Sequence, residues 1–288
     1  MEKRSRRLEK SIRLPGGRLI RIPAIMGIIN VAPDSFYAGS RFLNPDQAAT
    51  RAIQMESEGA AIIDVGGEST RPGTEVVVAP KEEIARVIPV IREIRRRSDV
   101  TISIDTRKAQ VAAAAISAGA AIVNDVSALE FDAEMAATIA RSGSGVVLMH
   151  MRGTPATMDS KTRYRDVTLE VAEYFKLRTR FAIQAGIERG RIIIDPGLGF
   201  AKKARHNLQL IAQLNRISAL GFPVAVGPSR KRFVRTICGE EDAEMVRGSA
   251  AIAAIAIANG AAIVRVHDPA AMKAAVAMAT AVRRGEVQ

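Results

Sequence analysis

The sequence predicts a (β/α)8 barrel, and three observations carry the prediction. Eight short runs rich in Ile and Val, among them AIMGII, VTISI and GVVLM, recur without alternating with polar residues. Runs of that kind fit parallel strands buried on both faces. A stretch that reads as a crossover helix follows each run. Each run also ends on or beside a polar residue, and in such a barrel the reactive side chains gather at the C-terminal ends of the strands.

Taken in order, the first run closes on Asn30, the second surrounds Asp64 and the third closes on Asp105. The fourth closes on Asn124, beside Asp125, the fifth on His150 and the sixth on Asp195. The seventh, PVAV, leads into Ser229-Arg230-Lys231, and the eighth, AAIVRV, closes on His267. These polar residues are expected to form one pocket. Helix ends are marked by Gly59, Gly119, Gly143, Gly186, Gly221 and Gly260, each suited to a left-handed C-terminal cap. Asn44-Pro45-Asp46 supplies an N-cap, a proline for the first turn and an acid favourable to the helix dipole. Behind it, Ala48, Ala49, Ala52, Ile53 and Met55 form an apolar stripe. The longest connection, His150 to Arg191, reads as a loop followed by a helix over 166–185, and a long loop at the reactive end is a candidate lid.

A single barrel accounts for the length, since about 250 residues are typical. The excess lies at the front, where residues 1–13 carry six Lys/Arg and two Glu. Residues 1–12 are read as a solvated basic arm and 13–288 as one catalytic domain. RLPGGRLIRI, at 13–22, reads as a hairpin turning at Pro15-Gly16-Gly17 that covers the N-terminal mouth of the barrel. The Ala-rich stretch at 250–264 is broken by Asn259-Gly260, so no segment is expected to span a bilayer. The basic start has no apolar signal-peptide region. One cysteine, Cys238, excludes an intrachain disulfide, and a cytoplasmic location is expected.

The net charge of +12 is compatible with nucleic acid, a membrane surface or a merely soluble basic protein. With 4% aromatics and no Trp there are few surfaces on which bases could stack, so nucleic acid is not the expected partner, and with no spanning segment neither is a membrane. Arg71, Arg152, Arg230, Lys231, Arg265 and His267 all fall at or just after strand ends, where a barrel focuses them over one mouth. Four of the six follow strands 7 and 8, a common place for phosphate in this fold. Asp64, Asp105, Asn124, Asp125 and Asp195 face the same end. Singly each has a structural reading: Asp105-Thr106 as a helix cap, Asp195-Pro196-Gly197 as a turn, Asp64 as a partner for the glycines after it. Together they suit a flat heterocycle bearing N–H donors, with the cations holding an anionic tail. The chain has no G-x-S-x-G, no H-E-x-x-H, no cysteine cluster and no G-x-G-x-x-G after a strand, and its three histidines are far apart. DVGGESTRPG, at 64–73, instead suits a tight loop from which Glu68, Ser69, Thr70 and Arg71 reach a ligand.

MGIINVAPDSF (26–36), DVGGESTRPG (64–73), SIDTRK (103–108), NDVSA (124–128), LMHMRGTPATM (148–158), DPGLGFAK (195–202), VGPSRKRF (226–233) and RVHD (265–268) follow one another in register. In order and spacing they resemble the dihydropteroate synthase family, from about residue 13 to the C-terminus. The resemblance implies condensation of 6-hydroxymethyl-7,8-dihydropterin diphosphate with p-aminobenzoate, with Mg²⁺ as cofactor and a homodimer as the assembly. It assigns the pterin to Asp105, Asn124, Asp195 and Lys231, the metal to Asn30, and the diphosphate to Asn30, Arg71, Arg265 and His267. Phe36, Thr70, Arg71, Pro72, Phe200 and Ser229 would frame p-aminobenzoate, and Lys231, Asp105 and Arg71 would serve catalysis. The loop after the first strand departs from the family pattern at Ala38, where an acid is usual, and Ala201 replaces a usual Gly. A pterin-binding paralogue without synthase activity would tolerate Ala38. A pterin-dependent methyltransferase of the same barrel family would need no anion cluster.

Overall fold

Eight parallel strands close into a barrel, and a helix follows each one. The computed structural model describes residues 11–31, 44–69, 73 and 77–285. In chain order a short hairpin, β1 (Ser11–Arg13) and β2 (Leu19–Arg21), precedes β3 (Ala24–Asn30), α1 (Pro45–Ser57), β4 (Ala60–Gly66), α2 (Pro80–Arg97), β5 (Thr101–Asp105) and α3 (Ala109–Ser117). Then come β6 (Ile122–Asp125), α4 (Met135–Ser142), β7 (Gly145–Met149), α5 (Val167–Gln184), β8 (Ile192–Asp195), α6 (Ala204–Ala212) and α7 (Leu214–Ser218). The chain ends with β9 (Ala225–Val226), α8 (Arg232–Cys238), α9 (Asp242–Ala258), β10 (Ile263–Val266) and α10 (Pro269–Arg284). The sheet order is β8-β7-β6-β5-β4-β3-β10-β9. A parallel bridge between Ile194 and Val224 joins β8 to the segment entering β9 and completes the circle.

Local signals explain the boundaries. The Asn44 side chain accepts hydrogen bonds from the amides of Asp46 and Gln47, with Pro45 in the first turn. Ala48, Ala49, Ala52 and Met55 are buried under α1, while Ile53 is half-buried. Gly143 takes φ 67° at the cap of α4, the left-handed conformation expected there.

The hairpin begins at Ser11, so the boundary placed at residue 12/13 cuts through a strand. Ile12 is wholly buried. With Leu14 and Ile20 it packs against Met26, Ile62, Ile122, Val147, Ile193 and Ile263, which fill the lower barrel. The hairpin therefore plugs the N-terminal mouth. Outside the sheet, Ile63, Val65, Val123, Ile192 and Ile194 face the helices in the main core.

Strand periodicity positions the site. Side chains two apart share a face, so Asp64 stands one layer above Ile62, Asn124 above Ile122, Asp195 above Ile193 and Arg265 above Ile263. Four polar groups thereby enter the barrel on top of an apolar floor. Residues between them are turned outward, and this corrects two expectations. Asp125 points away from the interior, where its carboxylate accepts from the Ser127 amide and hydroxyl and the Leu129 amide, capping the turn after β6. His150 is buried beside Tyr174, with ring centroids 4.8 Å apart, and does not line the pocket. The loop after β7, expected as a lid, packs Met151 and Met158 with Val126, Met149 and Ala201.

Candidate active site

At the C-terminal end of the barrel is a cavity of about 430 Å³. Of the residues expected there, Asn30, Glu68, Ser69, Asp105, Phe200, Ser229, Lys231, Arg265 and His267 line it. Asn124 and Asp195 do not line it; they are buried below, 6% and 7% exposed. Phe36, Ala38, Thr70, Arg71 and Pro72 lie outside the described residues.

Arg265 ties the floor together. Its Nε donates to Asp64 Oδ2 at 2.6 Å and its Nη2 to Asp105 Oδ2 at 2.7 Å. Asn124 Nδ2 donates to the same Asp64 oxygen at 3.0 Å. Asp64 thus serves Arg265 and Asn124 rather than the glycines that follow it. Of the five donors of a guanidinium, these contacts use two, and the rest remain for a ligand. Neither Asp105 nor Thr106 caps α3: Thr106 accepts from the Lys108 amide at 3.3 Å, just before the helix, and the Ala109 amide donates to Asp132 at 2.8 Å. Asp195 combines both of its readings: Oδ1 accepts from the Gly197 amide at 2.7 Å, leaving the other oxygen for a ligand.

Burial sets the charge states. It pushes the Asp105 carboxyl up to about 7, against the opposing effect of Arg265, and raises Asp195. It lowers Lys231 to about 8, assisted by Arg265. The Lys231 ammonium stands 4.4 Å from the centre of the Phe200 ring, a cation–π arrangement.

The expected cation cluster needs correction at three positions. Burial, followed by Arg265, Arg230 and Lys231, drives His267 down to about 3, so it is a neutral imidazole. Its Nδ1 shares a 3.0 Å hydrogen bond with Ser229 Oγ. Arg230 borders the cavity but pairs with Asp242 and, at 3.2 Å, with Asp268. Arg152 leaves the mouth altogether: it pairs with Glu170 and lies over Tyr164, 3.9 Å from the ring centre.

Two residues have partnerships that sequence did not show: Glu68, expected to reach a ligand and bordering the cavity beside Ser69, and Lys202. Glu68 accepts from Arg107 Nη2 at 2.9 Å and from the Val78 amide at 2.9 Å, and it pairs with Lys108, which also pairs with Glu83. The basic pair in SIDTRK opposite the acid of DVGGE was the available signal. The second is Lys202, buried at 3% exposure; a lysine in a loop gave no sign of burial.

A closed parallel barrel with carboxylates, an amide and cations above an apolar floor defines an enzyme that binds a flat polar ring carrying an anionic group. The family model described as pterin binding enzyme matches residues 26–267. A dihydropteroate synthase of Synechocystis sp. is 46% identical over 249 residues, 86% of this chain and 86% of that one. The Yersinia pestis dihydropteroate synthase, solved in complex with a sulfonamide drug, superposes with a TM-score of 0.91 at 38% identity, covering 95% of this chain and 99% of that one. The Xanthomonas albilineans dihydropteroate synthase with 4-aminobenzoic acid gives 0.86 at 40% identity, covering 95% and 98%. The chain belongs to the pterin-binding enzyme family, among the dihydropteroate synthases.

Proposed function

We propose that the protein condenses 6-hydroxymethyl-7,8-dihydropterin diphosphate with p-aminobenzoate, releasing 7,8-dihydropteroate and diphosphate. The observation that carries this reading is the polar set above the barrel floor, with acceptors on one side and donors on the other. Asp195 and Asp105 accept from ring N–H and amino groups. Asn124, whose nitrogen is committed to Asp64, presents its carbonyl oxygen as a further acceptor. Lys231 donates to ring acceptors and, with Asp105, borders the reacting carbon.

The uncommitted donors of Arg265 and the neutral imidazole of His267 receive the diphosphate. Positive charge held there in advance favours departure of the anion, since donors aimed at developing charge need no reorganisation during reaction. The amine of p-aminobenzoate is already neutral at pH 7, so no strong base is required. Phe200 and Ser229 border its place, and the resemblance adds Phe36, Thr70, Arg71 and Pro72, with Arg71 also on the diphosphate. A sulfonamide is expected to compete for the same place.

The donor set fits Mg²⁺ in a limited way. Among the described residues no group of three His, Cys, Asp or Glu forms a cage. Mg²⁺ characteristically keeps waters and binds through few protein oxygens plus substrate phosphates, so Asn30 at the cavity edge suffices as its protein contact. When bound, the ion neutralises charge on the diphosphate.

No helix among the described residues is long and apolar enough to cross a membrane, and we place the protein in the cytoplasm. We assign a homodimer through α9 and α10, which expose Ile255, Met278 and Val282. The deciding experiment incubates the protein with the pterin diphosphate, Mg²⁺ and p-aminobenzoate and follows dihydropteroate and diphosphate together. Equal formation of both is expected. Pterin binding without diphosphate release would overturn the synthase reading.

A further inference from the structure

Lys202 lies in the loop between β8 and α6, and its side chain is buried where lysines are rarely found. Its Nζ is surrounded by acceptors: His150 Nδ1 at 2.9 Å, the His150 carbonyl at 3.3 Å, the Gly197 carbonyl at 3.0 Å and the Phe200 carbonyl at 2.9 Å. Among the described residues no carboxylate lies within ion-pair distance of it. An ammonium has three hydrogens and no lone pair, so this nest of acceptors is built for the cation, and His150 Nδ1 must accept. Burial opposes the charge and lowers Lys202 to about 7. A group kept at such a cost calls for a reason.

The backbone that it grips supplies one. Gly197 takes φ 68°, and a Cβ there would stand 2.1 Å from the His150 carbonyl oxygen, so the loop lies directly on the end of the β7 segment. Gly199 at 83° and Ala201 at 51° are also left-handed, and Ala201 lacks the freedom of glycine. Five residues with three left-handed turns hold no regular structure of their own. Two of them bear directly on the site: the Gly197 amide orients Asp195, and the Phe200 ring meets Lys231.

We propose that Lys202 is a positioning residue for the reaction, its buried ammonium fastening this loop so that Asp195 and Phe200 stand where the pterin and p-aminobenzoate require them. The assignment rests on the synthase reading and deepens it: Lys202 borders the cavity, but the acceptors around its Nζ commit the ammonium to the loop rather than to the reacting atoms. Removing the cation frees the carbonyls of Gly197 and Phe200, and both ligand subsites loosen together.

The test compares wild-type protein with Lys202→Met. Measurements are the Kd of 6-hydroxymethylpterin by calorimetry, the KM for p-aminobenzoate, kcat at saturation, and the folded fraction by thermal melting. Expected are a rise of about tenfold or more in both Kd and KM, equivalent to about 1.4 kcal/mol or more, with kcat per folded molecule kept within a few-fold. A lysine serving only the fold would lower kcat with the folded fraction and leave Kd and KM at their wild-type values, and that result overturns the proposal. If Lys202→Met does not fold, Lys202→Gln, which keeps a donor, is measured in its place, with a smaller rise in both constants expected. Failure of both variants to fold also overturns it. Wild-type turnover reports separately on the synthase reading, and the calorimetric comparison needs no turnover.

Discussion

Asp105 and Lys231 face one cavity with opposite needs. Asp105, raised to about 7, takes a proton as the pH falls and weakens as an acceptor. Lys231, lowered to about 8, loses its proton as the pH rises and weakens as a donor. Pterin affinity is therefore expected to fall below about 7 as Asp105 takes up its proton, and to fall on the alkaline side as Lys231 and the loop-fastening Lys202 lose theirs. Lys231→Arg should remove only the Lys231 part of the alkaline limb, because guanidinium does not titrate there. Calorimetry from pH 5.5 to 9.5 checks this; a flat profile contradicts the assignment of both groups. At the optimum, Asp195→Asn and Lys231→Ala should each weaken pterin binding, since a charged hydrogen-bond partner contributes about 1.5–3 kcal/mol, or about ten- to a hundredfold. Unchanged affinity in both would move the pterin elsewhere.

Among the elements, the hairpin is the least expected contributor to the barrel and the easiest to test. Ile12 belongs to a chain segment whose composition looks solvated, yet it seals the apolar floor. Ile12→Ala should cost about 2–5 kcal/mol, as for other large-to-small core changes, and leave the KM for p-aminobenzoate unchanged because the plug and the cavity are at opposite ends. Denaturant unfolding together with steady-state kinetics tests both halves. The strands themselves were legible because burial on both faces leaves an uninterrupted apolar run, and even the two-residue β9 showed in PVAV. Ile12 was not, since a single Ile in a segment with six Lys/Arg sets up no period. Nor were the partnerships above the floor. Arg265 meets Asp64 and Asp105 across 201 and 160 residues, and only closure of the barrel brings such groups together. Sequence placed Arg152 correctly at a strand end but had no means of showing that Glu170 and Tyr164 would turn it away.

For the molecule as a whole, the site is a source of instability, with a definite pH signature. The ordinary value for Asp105 is 3.8, and in the folded protein it is about 7. Between these limits the folded state holds a proton that the unfolded chain has lost, so the contribution of this group to stability declines as the pH rises from about 4 to about 7 and stays low above that. Lys231 and Lys202 have folded values of about 8 and about 7 against an ordinary 10.5. There the unfolded chain holds the extra proton, so their contributions recover as the pH rises through that window. At pH 8.5 the full cost of the Asp105 carboxylate is present. Asp105→Asn removes the charge, while Arg265 keeps its bond to Asp64 and an amide oxygen in place of the lost carboxylate. The variant should therefore melt higher than wild type at pH 8.5, by about 2–4 °C for each kcal/mol recovered in a domain of this size, while its pterin affinity falls. At pH 5 wild-type Asp105 is already protonated in the folded state, so the difference should shrink. Melting curves of both proteins at the two pH values decide the matter: a lower melting temperature for Asp105→Asn at pH 8.5 would mean that its bond to Arg265 outweighs burial, and that the carboxylate stabilises the barrel it was expected to strain.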